Sequence, residues 1–212
     1  MSYIRPMTHR DAVSLIDTPW FRNQTTPMRW ADLGCGSGTF TLALADLLAP
    51  GSSIEAIDLR PTVAPQTTPH GVSIHPRAAD FTTLDFRLGA ATVDTAILPP
   101  RVWPGTQPLQ YDGILMANSL HYVEDQRTFL TRLLPPDRWR PSALGACPAS
   151  ALLLIEYDTD IPVARWVPYP LSFTSATELL KSAGWPRIQK LGTQPSAFGR
   201  TELYAALALP EE

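Results

Sequence analysis

The segment WADLGCGSGTF, residues 30–40, limits the possible folds of this chain more than any other. Its three glycines, Gly34, Gly36 and Gly38, alternate with single residues and follow residues 28–33, whose apolar pattern predicts a strand. Glycine tolerates positive φ and has no Cβ, so this spacing lets a ligand lie against the main chain. The glycine loop therefore predicts a ligand-binding unit of strand, loop and helix.

Strand and helix patterns alternate along the rest of the chain. Apolar positions recur at helical spacing in residues 39–49, and a short apolar strand over residues 53–58 ends on Asp58. Further strands are predicted over residues 72–76, within 111–123, over 150–160 and in a closing antiparallel hairpin, with helices over 8–16, 124–134 and 175–183. This alternation predicts an α/β fold: a doubly wound, Rossmann-like, seven-stranded, mostly parallel sheet with a C-terminal antiparallel hairpin and helices on both faces.

Capping and proline signals predict where the first and last helices begin and end. Thr8 is the expected N-cap of the first helix, and Pro19 is expected to end it. Ser175 and Glu178 have the spacing of a capping box at the last helix, and Gly184 is its expected C-cap.

Composition and charge predict one globular domain and argue against a nucleic-acid partner. The chain has 212 residues, of which 44% are hydrophobic, so we expect a single domain over residues 1–212. Residues 1–27 would form an N-terminal helix and lid segment, in which Tyr3 and Trp20 cover the ligand. The formal net charge is −3 and no basic stripe could neutralise phosphates, so we expect no nucleic acid as partner. The expected assembly is a monomer or a homodimer.

The sequence shows no targeting, membrane-spanning or metal-binding pattern. The first residues lack the apolar core of a signal peptide, and no run approaches the roughly 20 apolar residues that span a bilayer. Cys35 and Cys147 make neither a disulfide framework nor a zinc site, and His9, His70 and His75 show no ligand pattern. We therefore expect a cytoplasmic protein without a membrane partner or a bound metal.

Proline is unusually frequent, with 22 residues, and it predicts where the loops lie. The clusters fall on residues 99–108, 135–141 and 168–170. Large aromatic side chains in or near these loops could line a pocket or anchor a loop to the body of the fold; they are Trp103, Trp139, Trp166, Tyr169 and Phe173. Residues 165–173 follow the fifth predicted strand and are the best pocket candidate.

Two carboxylates flank the glycine loop and predict a nucleoside ligand. Asp32 precedes the loop, and Asp58 ends the second predicted strand, where a carboxylate can accept hydrogen bonds from ribose hydroxyls. A dinucleotide fold needs G-x-G-x-x-G, whereas the third glycine here comes one position early, and Asp32 would repel a pyrophosphate. The same carboxylate suits a ligand that carries an amino group and a positive sulfonium.

Four motifs in this order resemble the class I S-adenosylmethionine-dependent methyltransferases, in particular their small-molecule branch. ADLGCGSGTF resembles their first motif, EAIDL the acidic end of their second strand, AADF the segment beside adenine and ILMANSLHYVED their fourth-strand motif. The likeness runs from about Trp30 to the C-terminus. It implies that S-adenosylmethionine is the cofactor and that a small organic acceptor receives the methyl group.

The resemblance also implies a role for each matching position. The methionine part of the cofactor would be held by Asp32 and by the backbone of Gly34, Cys35, Gly36 and Gly38. The ribose and the adenine would contact Asp58, Leu59, Asp80 and Phe81. The methionine side that faces the acceptor would be lined by Asn118, Ser119 and Leu120.

His121 is the candidate catalytic residue, because it follows the fourth predicted strand, where the acceptor should meet the methyl group. A histidine there could orient the acceptor or accept its proton, or it could simply pack or cap the next helix. Tyr122, Glu156 and Asp158 are further candidates near strand ends. Cys35 has no base near it in the sequence, so we expect it to pack within the loop rather than act as a nucleophile.

The sequence predicts methyl transfer by direct in-line displacement, in which the protein mainly aligns the nucleophile with the methyl–sulfur axis. Two alternatives stay open at this point. One is a non-catalytic nucleoside-binding scaffold of the same fold. The other is an NAD(P)-dependent oxidoreductase, which the glycine spacing opposes.

Overall fold

The computed structural model describes residues 7–84, 111–133, 151–196 and 201–209. Within them one sheet of eight strands is formed by β1 (Arg29–Leu33), β2 (Ser53–Asp58), β3 (Gln66–Thr67), β4 (Ser73–Ala78), β5 (Gly113–Ala117), β6 (Ala151–Tyr157), β7 (Arg187–Pro195) and β8 (Glu202–Leu209). The proline clusters at 99–108 and 135–141 lie outside the described residues, as do Tyr3, Trp103, Trp139 and Cys147.

The strand order is β3-β4-β2-β1-β5-β6-β8-β7. The five central strands from β4 to β6 run parallel, and β8 and β7 form the antiparallel C-terminal hairpin. The doubly wound α/β prediction is therefore confirmed. The strand beyond the seven predicted is β3, a two-residue antiparallel edge strand within the proline-rich segment after β2.

The described helices are α1 (His9–Ile16), α2 (Pro19–Arg22), α3 (Thr39–Ala45), α4 (Gln126–Leu133) and α5 (Phe173–Ser182), with a 3₁₀ turn at Leu120–Tyr122. Thr8 caps α1 as predicted, in a reciprocal capping box with Asp11. α1 ends at Ile16 as predicted, with Asp17 as its C-cap. Pro19 is the first residue of α2, where its missing N–H costs nothing.

The prediction for the start of α5 is wrong. Ser172, rather than Ser175, is the N-cap, and its hydroxyl accepts the backbone N–H of Ser175 at 3.2 Å. Ser175 is therefore the third residue of the helix, and Glu178 lies too far along to complete a capping box. The C-cap is Ala183, and Gly184 follows with a φ of 103°, the left-handed conformation expected just beyond a helix end.

Helices cover both faces of the sheet and divide the core into two clusters. On one face α1 and α3 pack with Trp30, Ile54 and Leu153. On the other face α4 and α5 pack with Leu33 and Leu152. Because β1, β2 and β5 are buried on both faces, their carboxyl ends are held rigidly, and these ends carry the predicted site.

Candidate functional site

The glycine loop between β1 and α3 adopts a backbone that side chains would obstruct. Gly34, Gly36 and Gly38 all have positive φ, of 87°, 51° and 83°. A Cβ on Gly34 would come within 2.5 Å of the Cβ of Ser119, and one on Gly38 within 2.7 Å of Val63. A Cβ on Gly36 would meet nothing within 4 Å. Two of the glycines therefore allow close packing, and the third opens onto empty space.

Asp32 lies at the start of this loop with one carboxylate oxygen unsatisfied. The residue is 1% exposed, and its Oδ2 accepts a hydrogen bond from the Thr41 hydroxyl at 2.5 Å. Its Oδ1 is buried without a partner in the described part of the protein. Burial raises the pKa of Asp32 to about 7, and the nearby charge of Asp58 adds to the rise while the Thr41 hydrogen bond opposes it. A buried, unpaired carboxylate oxygen of this kind is suited to a positively charged donor group.

Asp58, at the carboxyl end of β2, holds the glycine loop in place. Its Oδ2 accepts the backbone N–H of Gly36 and its Oδ1 that of Arg60, both at 2.9 Å. Each oxygen keeps a second lone pair, so the carboxylate can still accept a hydrogen bond from a ligand. The next residue, Leu59, is 69% exposed, an unusual position for leucine beside a loop of this kind.

A cavity of about 550 Å³ opens at the carboxyl ends of β1, β5 and β6. Its size falls in the range of small-molecule sites, about 300–1,000 Å³. From the predicted set it is lined by Asp32, Gly34, Cys35, Gly36 and Asn118. The other lining residues are Met7, Ser37, Thr39, Phe40, Ala117, Tyr157, Pro195 and Leu203.

The segment after β5 presents a second unpaired polar atom to this cavity. Asn118 has a φ of 53°, uncommon for a residue with a side chain, and its Oδ1 is buried without a partner in the described residues. The Ser119 hydroxyl is likewise buried and unpaired there. Leu120 was predicted to line the cavity, but it does not. Its side chain follows the 3₁₀ turn into the core and is fully buried in the cluster that contains α4.

The remaining predicted ligand residues lie outside the cavity lining. Asp80 is engaged in a local turn, where its Oδ1 accepts the backbone N–H of Thr82 at 2.9 Å and the Thr82 hydroxyl at 2.6 Å. Phe81 packs edge-on against Phe129 and lies close to Gly34. The adenine role of Asp80 and Phe81 stays a prediction.

Cys35 lines the cavity but is not activated as a nucleophile. Burial, together with the nearby charges of Asp32 and Asp58, raises the pKa of its thiol to about 12. The thiolate that a nucleophile needs is therefore absent at neutral pH. This agrees with the expectation that Cys35 packs within the loop.

His121 forms a buried pair with Glu156 of β6. The ring Nδ1 lies 2.6 Å from Glu156 Oε2, and the side chains are 2% and 1% exposed. Glu156 Oε1 also accepts the backbone N–H of His121 at 3.2 Å. His121 does not itself line the cavity; Tyr157, which does, has its ring centroid 5.9 Å from that of His121.

Some of the aromatic residues predicted to form a lid or a pocket pack against the body of the fold, and others are exposed on its surface. Trp20 is not a lid: it packs against Phe21 and Trp30 in the core, with ring centroids 5.0 and 6.3 Å away. Trp166 and Tyr169 are 65% and 38% exposed, as a surface that contacts a ligand or partner would be. Asp158 is structural, since it accepts the backbone N–H of Phe173 at 2.9 Å and pairs with Lys190.

Two groups of site residues escaped the sequence reasoning. Thr41, the partner of Asp32, lies on the buried face of α3 with Leu44, so a polar residue on that apolar face was a usable signal. Tyr157, Pro195 and Leu203 reach the cavity from β6 and the C-terminal hairpin, and only the strand order reveals their proximity.

Within the described ranges we find no cluster of three or more histidine, cysteine or acidic residues that could hold a metal ion. None of the helices found there has the length and apolarity needed to cross a membrane.

Comparison with known proteins agrees with this geometry. A family model described as a methyltransferase domain matches residues 31–135, from β1 to the end of α4. No curated protein matches the chain at a significant level.

Several solved structures share the fold at low sequence identity. One is 1,6-didemethyltoxoflavin-N1-methyltransferase from Burkholderia thailandensis with bound S-adenosylhomocysteine, at 20% identity and a TM-score of 0.58, covering 96% of this chain and 78% of that one. A second is magnesium protoporphyrin IX methyltransferase from Synechocystis PCC 6803 with bound SAH, at 15% identity and a TM-score of 0.57, covering 95% of this chain and 83% of that one. A third is the SAH-bound N-terminal domain of EvdMO1, at 17% identity and a TM-score of 0.54, covering 98% of this chain and 83% of that one.

At these identities the solved structures establish only the shared fold, and the family model indicates the type of domain. The model covers the glycine loop and the segment after β5, which supply most of the residues that line the cavity. Residues 31–135 therefore match a methyltransferase domain, and the chain shares its fold with solved methyltransferases that hold S-adenosylhomocysteine.

Proposed function

We propose that this chain binds S-adenosylmethionine in the cavity and transfers its methyl group to a small organic acceptor by direct in-line displacement. The observation that carries the proposal is the buried, unpaired Oδ1 of Asp32 at the wall of a 550 Å³ cavity. An ammonium group is the natural partner for this oxygen, and the methyl donor carries one. Gly36, without a Cβ contact, leaves the space that the donor would occupy.

The remaining predicted residues would complete the donor site. Asp58 keeps lone pairs for the ribose hydroxyls, and the exposed Leu59 is available to cover the adenine. Asn118 Oδ1 is a second unpaired acceptor for the methionine part. Both acceptor atoms would gain partners on binding, which offsets the cost of keeping them buried and unpaired in the free protein.

The donor supplies an electrophilic methyl group, so the protein's main task is alignment. Holding the acceptor in line with the methyl–sulfur axis is catalysis by proximity and orientation, worth up to about 7–11 kcal/mol in favourable cases. The rigid carboxyl ends of β1 and β5 provide the fixed frame that such alignment needs.

The small organic acceptor, the setting and the extent of the domain belong to the same proposal. Two of the fold neighbours are named as methyltransferases of 1,6-didemethyltoxoflavin and of magnesium protoporphyrin IX. The net charge of −3 argues against a nucleic-acid acceptor. We infer a single domain over residues 1–212 that acts in the cytoplasm as a monomer or homodimer.

Thermal-shift measurements with S-adenosylmethionine, S-adenosylhomocysteine and NAD⁺ test the donor. A ligand at 100 times its Kd stabilises a protein by about 2.7 kcal/mol, so both adenosyl ligands should raise Tm clearly and NAD⁺ should not. A response to NAD⁺ alone would favour the oxidoreductase. Release of S-adenosylhomocysteine across an acceptor panel then separates an enzyme from a binding scaffold, which would bind the donor and release nothing.

A further inference from the structure

The buried pair of His121 and Glu156 is not used by donor binding or by alignment. Both side chains are almost fully enclosed, at 2% and 1% exposure. Enclosing a carboxylate is costly unless its oxygens are hydrogen-bonded, and here both oxygens of Glu156 are engaged by the same residue, His121. The arrangement fixes the position and the orientation of the imidazole ring.

The two contacts also fix which ring nitrogen carries the proton. An ionised carboxylate can only accept hydrogen bonds, so Nδ1, at 2.6 Å from Glu156 Oε2, must be the N–H donor. In the neutral ring the other nitrogen, Nε2, then carries the free lone pair. Nε2 has no hydrogen-bond partner among the described residues. The pair therefore presents a proton-accepting nitrogen held in one orientation.

The ring that carries this nitrogen does not line the cavity itself, but it neighbours a residue that does. His121 comes three residues after Asn118, and its ring lies beside that of Tyr157, both of which line the cavity. On its other side the half-exposed ring of Tyr122 lies 4.4 Å away, centroid to centroid. Burial and the charge of Glu156 raise the pKa of both tyrosines, so neither phenol ionises to serve as a base at neutral pH.

We propose that His121 Nε2 accepts the proton of the acceptor's nucleophile, that Glu156 is the positioning residue for His121, and that the acceptor is therefore a weak acid, such as a phenolic hydroxyl or a ring N–H. This inference rests on the proposed methyl transfer and specifies its acceptor. A carboxylate acceptor, ionised at neutral pH, needs no base. A phenol, with a pKa near 10, does.

The step balances without a further reactant. The O–H or N–H bond of the acceptor breaks, and its proton moves to Nε2. The electron pair left on the acceptor forms the bond to the methyl carbon, and the carbon–sulfur bond breaks with its pair remaining on sulfur. The imidazolium, stabilised by Glu156, then returns its proton to water.

The first test compares matched acceptors in H121Q. A nitrophenol that is already ionised at the assay pH needs no base, whereas its parent phenol does. General-base catalysis contributes about 10²–10⁴-fold, so H121Q should lower kcat for the parent phenol by at least 10²-fold and for the nitrophenolate by less than about threefold. The matched control is H75Q, at an exposed histidine of β4, which should change neither rate.

The second test needs no turnover. Nitrogen-15 spectra of the histidine rings in the free protein distinguish the two neutral tautomers, and the wild type should show His121 protonated at Nδ1. In E156Q the glutamine carbonyl can satisfy the backbone N–H of His121, while its NH₂ group faces Nδ1 and forces the proton onto Nε2. The E156Q protein should therefore show the opposite tautomer and the same selective loss of kcat on the parent phenol.

Three results would overturn the inference. They are a wild-type His121 ring protonated at Nε2, an equal fall in kcat for the parent phenol and the nitrophenolate in H121Q, or wild-type turnover of carboxylate acceptors alone. Calorimetry with S-adenosylhomocysteine keeps these outcomes apart from failure of the proposed function. The Kd should stay within about threefold of the wild-type value in H121Q and E156Q if the pair acts only on the acceptor. Absence of binding by the wild type would instead defeat the methyl-transfer proposal itself.

Discussion

The glycine loop and the segment from Asp158 to Leu171 lie at the same edge of the sheet but are built differently. In the glycine loop the fixed elements are backbone amides and two carboxylates, and the ligand-facing atoms belong to Asp32 and to a glycine without a Cβ. In the later segment the prominent groups are side chains with large exposed fractions, such as Ile161 at 75% and Trp166 at 65%. The first region is therefore preorganised by its own hydrogen bonds, whereas the second presents exposed apolar side chains.

The anchoring of the two regions explains this difference. The glycine loop is tied to β2 through Ile57 and Asp58, within the rigid parallel sheet. The later segment is held by a few hydrogen bonds at its ends, including the backbone N–H of Tyr169 to the His121 carbonyl at 3.0 Å. A backbone-built site suits a ligand that never changes, whereas a side-chain surface can change without disturbing the sheet. This contrast supports the proposal that the donor binds at the first region, and we extend that proposal by expecting the acceptor at the second.

The largest effect is expected from D32N, which removes the charge of the donor site while keeping its shape. Losing one partner of a buried charge pair costs about 2–5 kcal/mol, so the Kd for S-adenosylmethionine should rise about 10²–10³-fold by calorimetry. The matched control is D46N at the end of α3, whose carboxylate is 46% exposed and pairs with His9. A D32N protein that binds the donor as tightly as D46N does would contradict the assignment.

The same substitution should stabilise the free protein, and by an amount that depends on pH. Burial raises the pKa of Asp32 to about 7 in the folded state, so the folded protein holds this proton more tightly than the unfolded chain does. The stability that this group contributes is present below about pH 4 and is lost as pH rises to about 7. Between about pH 4 and 7, the free energy of unfolding of D32N should rise relative to that of the wild type, by on the order of 2–4 kcal/mol in denaturant unfolding. A constant difference between pH 4 and 8 would count against the buried, unpaired carboxylate.

The contrast also explains what could be read from the sequence. The glycine spacing predicted a loop open to a ligand, and the structure has that loop at the cavity wall, because positive φ restricts the residue type at each glycine position. Thr41 and the residues from the hairpin were missed because they approach the cavity through tertiary packing, which no local pattern records. The Ser172 cap was misassigned to Ser175 because both serines can begin a helix; in the structure Asp160 accepts the Ser172 backbone N–H from 12 residues earlier in the chain, a contact that no local pattern shows.

A smaller effect separates two roles within the glycine loop itself. G34A places a Cβ 2.5 Å from Ser119, so it should cost about 2–4 kcal/mol of unfolding free energy, as strain and overpacking add. G36A meets nothing within 4 Å and should cost only about 1–2 kcal/mol, from its left-handed backbone. Its methyl group, however, projects into the donor space and should weaken S-adenosylmethionine binding about 10–30-fold. If G36A proved the less stable of the two variants, the assignment of its open side to the donor would fail.

The smallest effects should divide cleanly between the two regions. Leu59 and Trp166 are similarly exposed, at 69% and 65%, so replacing either by alanine should change the free energy of unfolding by less than about 1 kcal/mol. If Leu59 covers the adenine as proposed, L59A removes that apolar area and should raise the donor Kd about threefold to tenfold, with the KM of the acceptor unchanged. W166A should do the reverse, raising the acceptor KM by a similar factor with the donor Kd intact. Steady-state kinetics and calorimetry on the two proteins measure both quantities. Since neither substitution disturbs the core, a variant that moved both constants together would show that the two surfaces form one site rather than two.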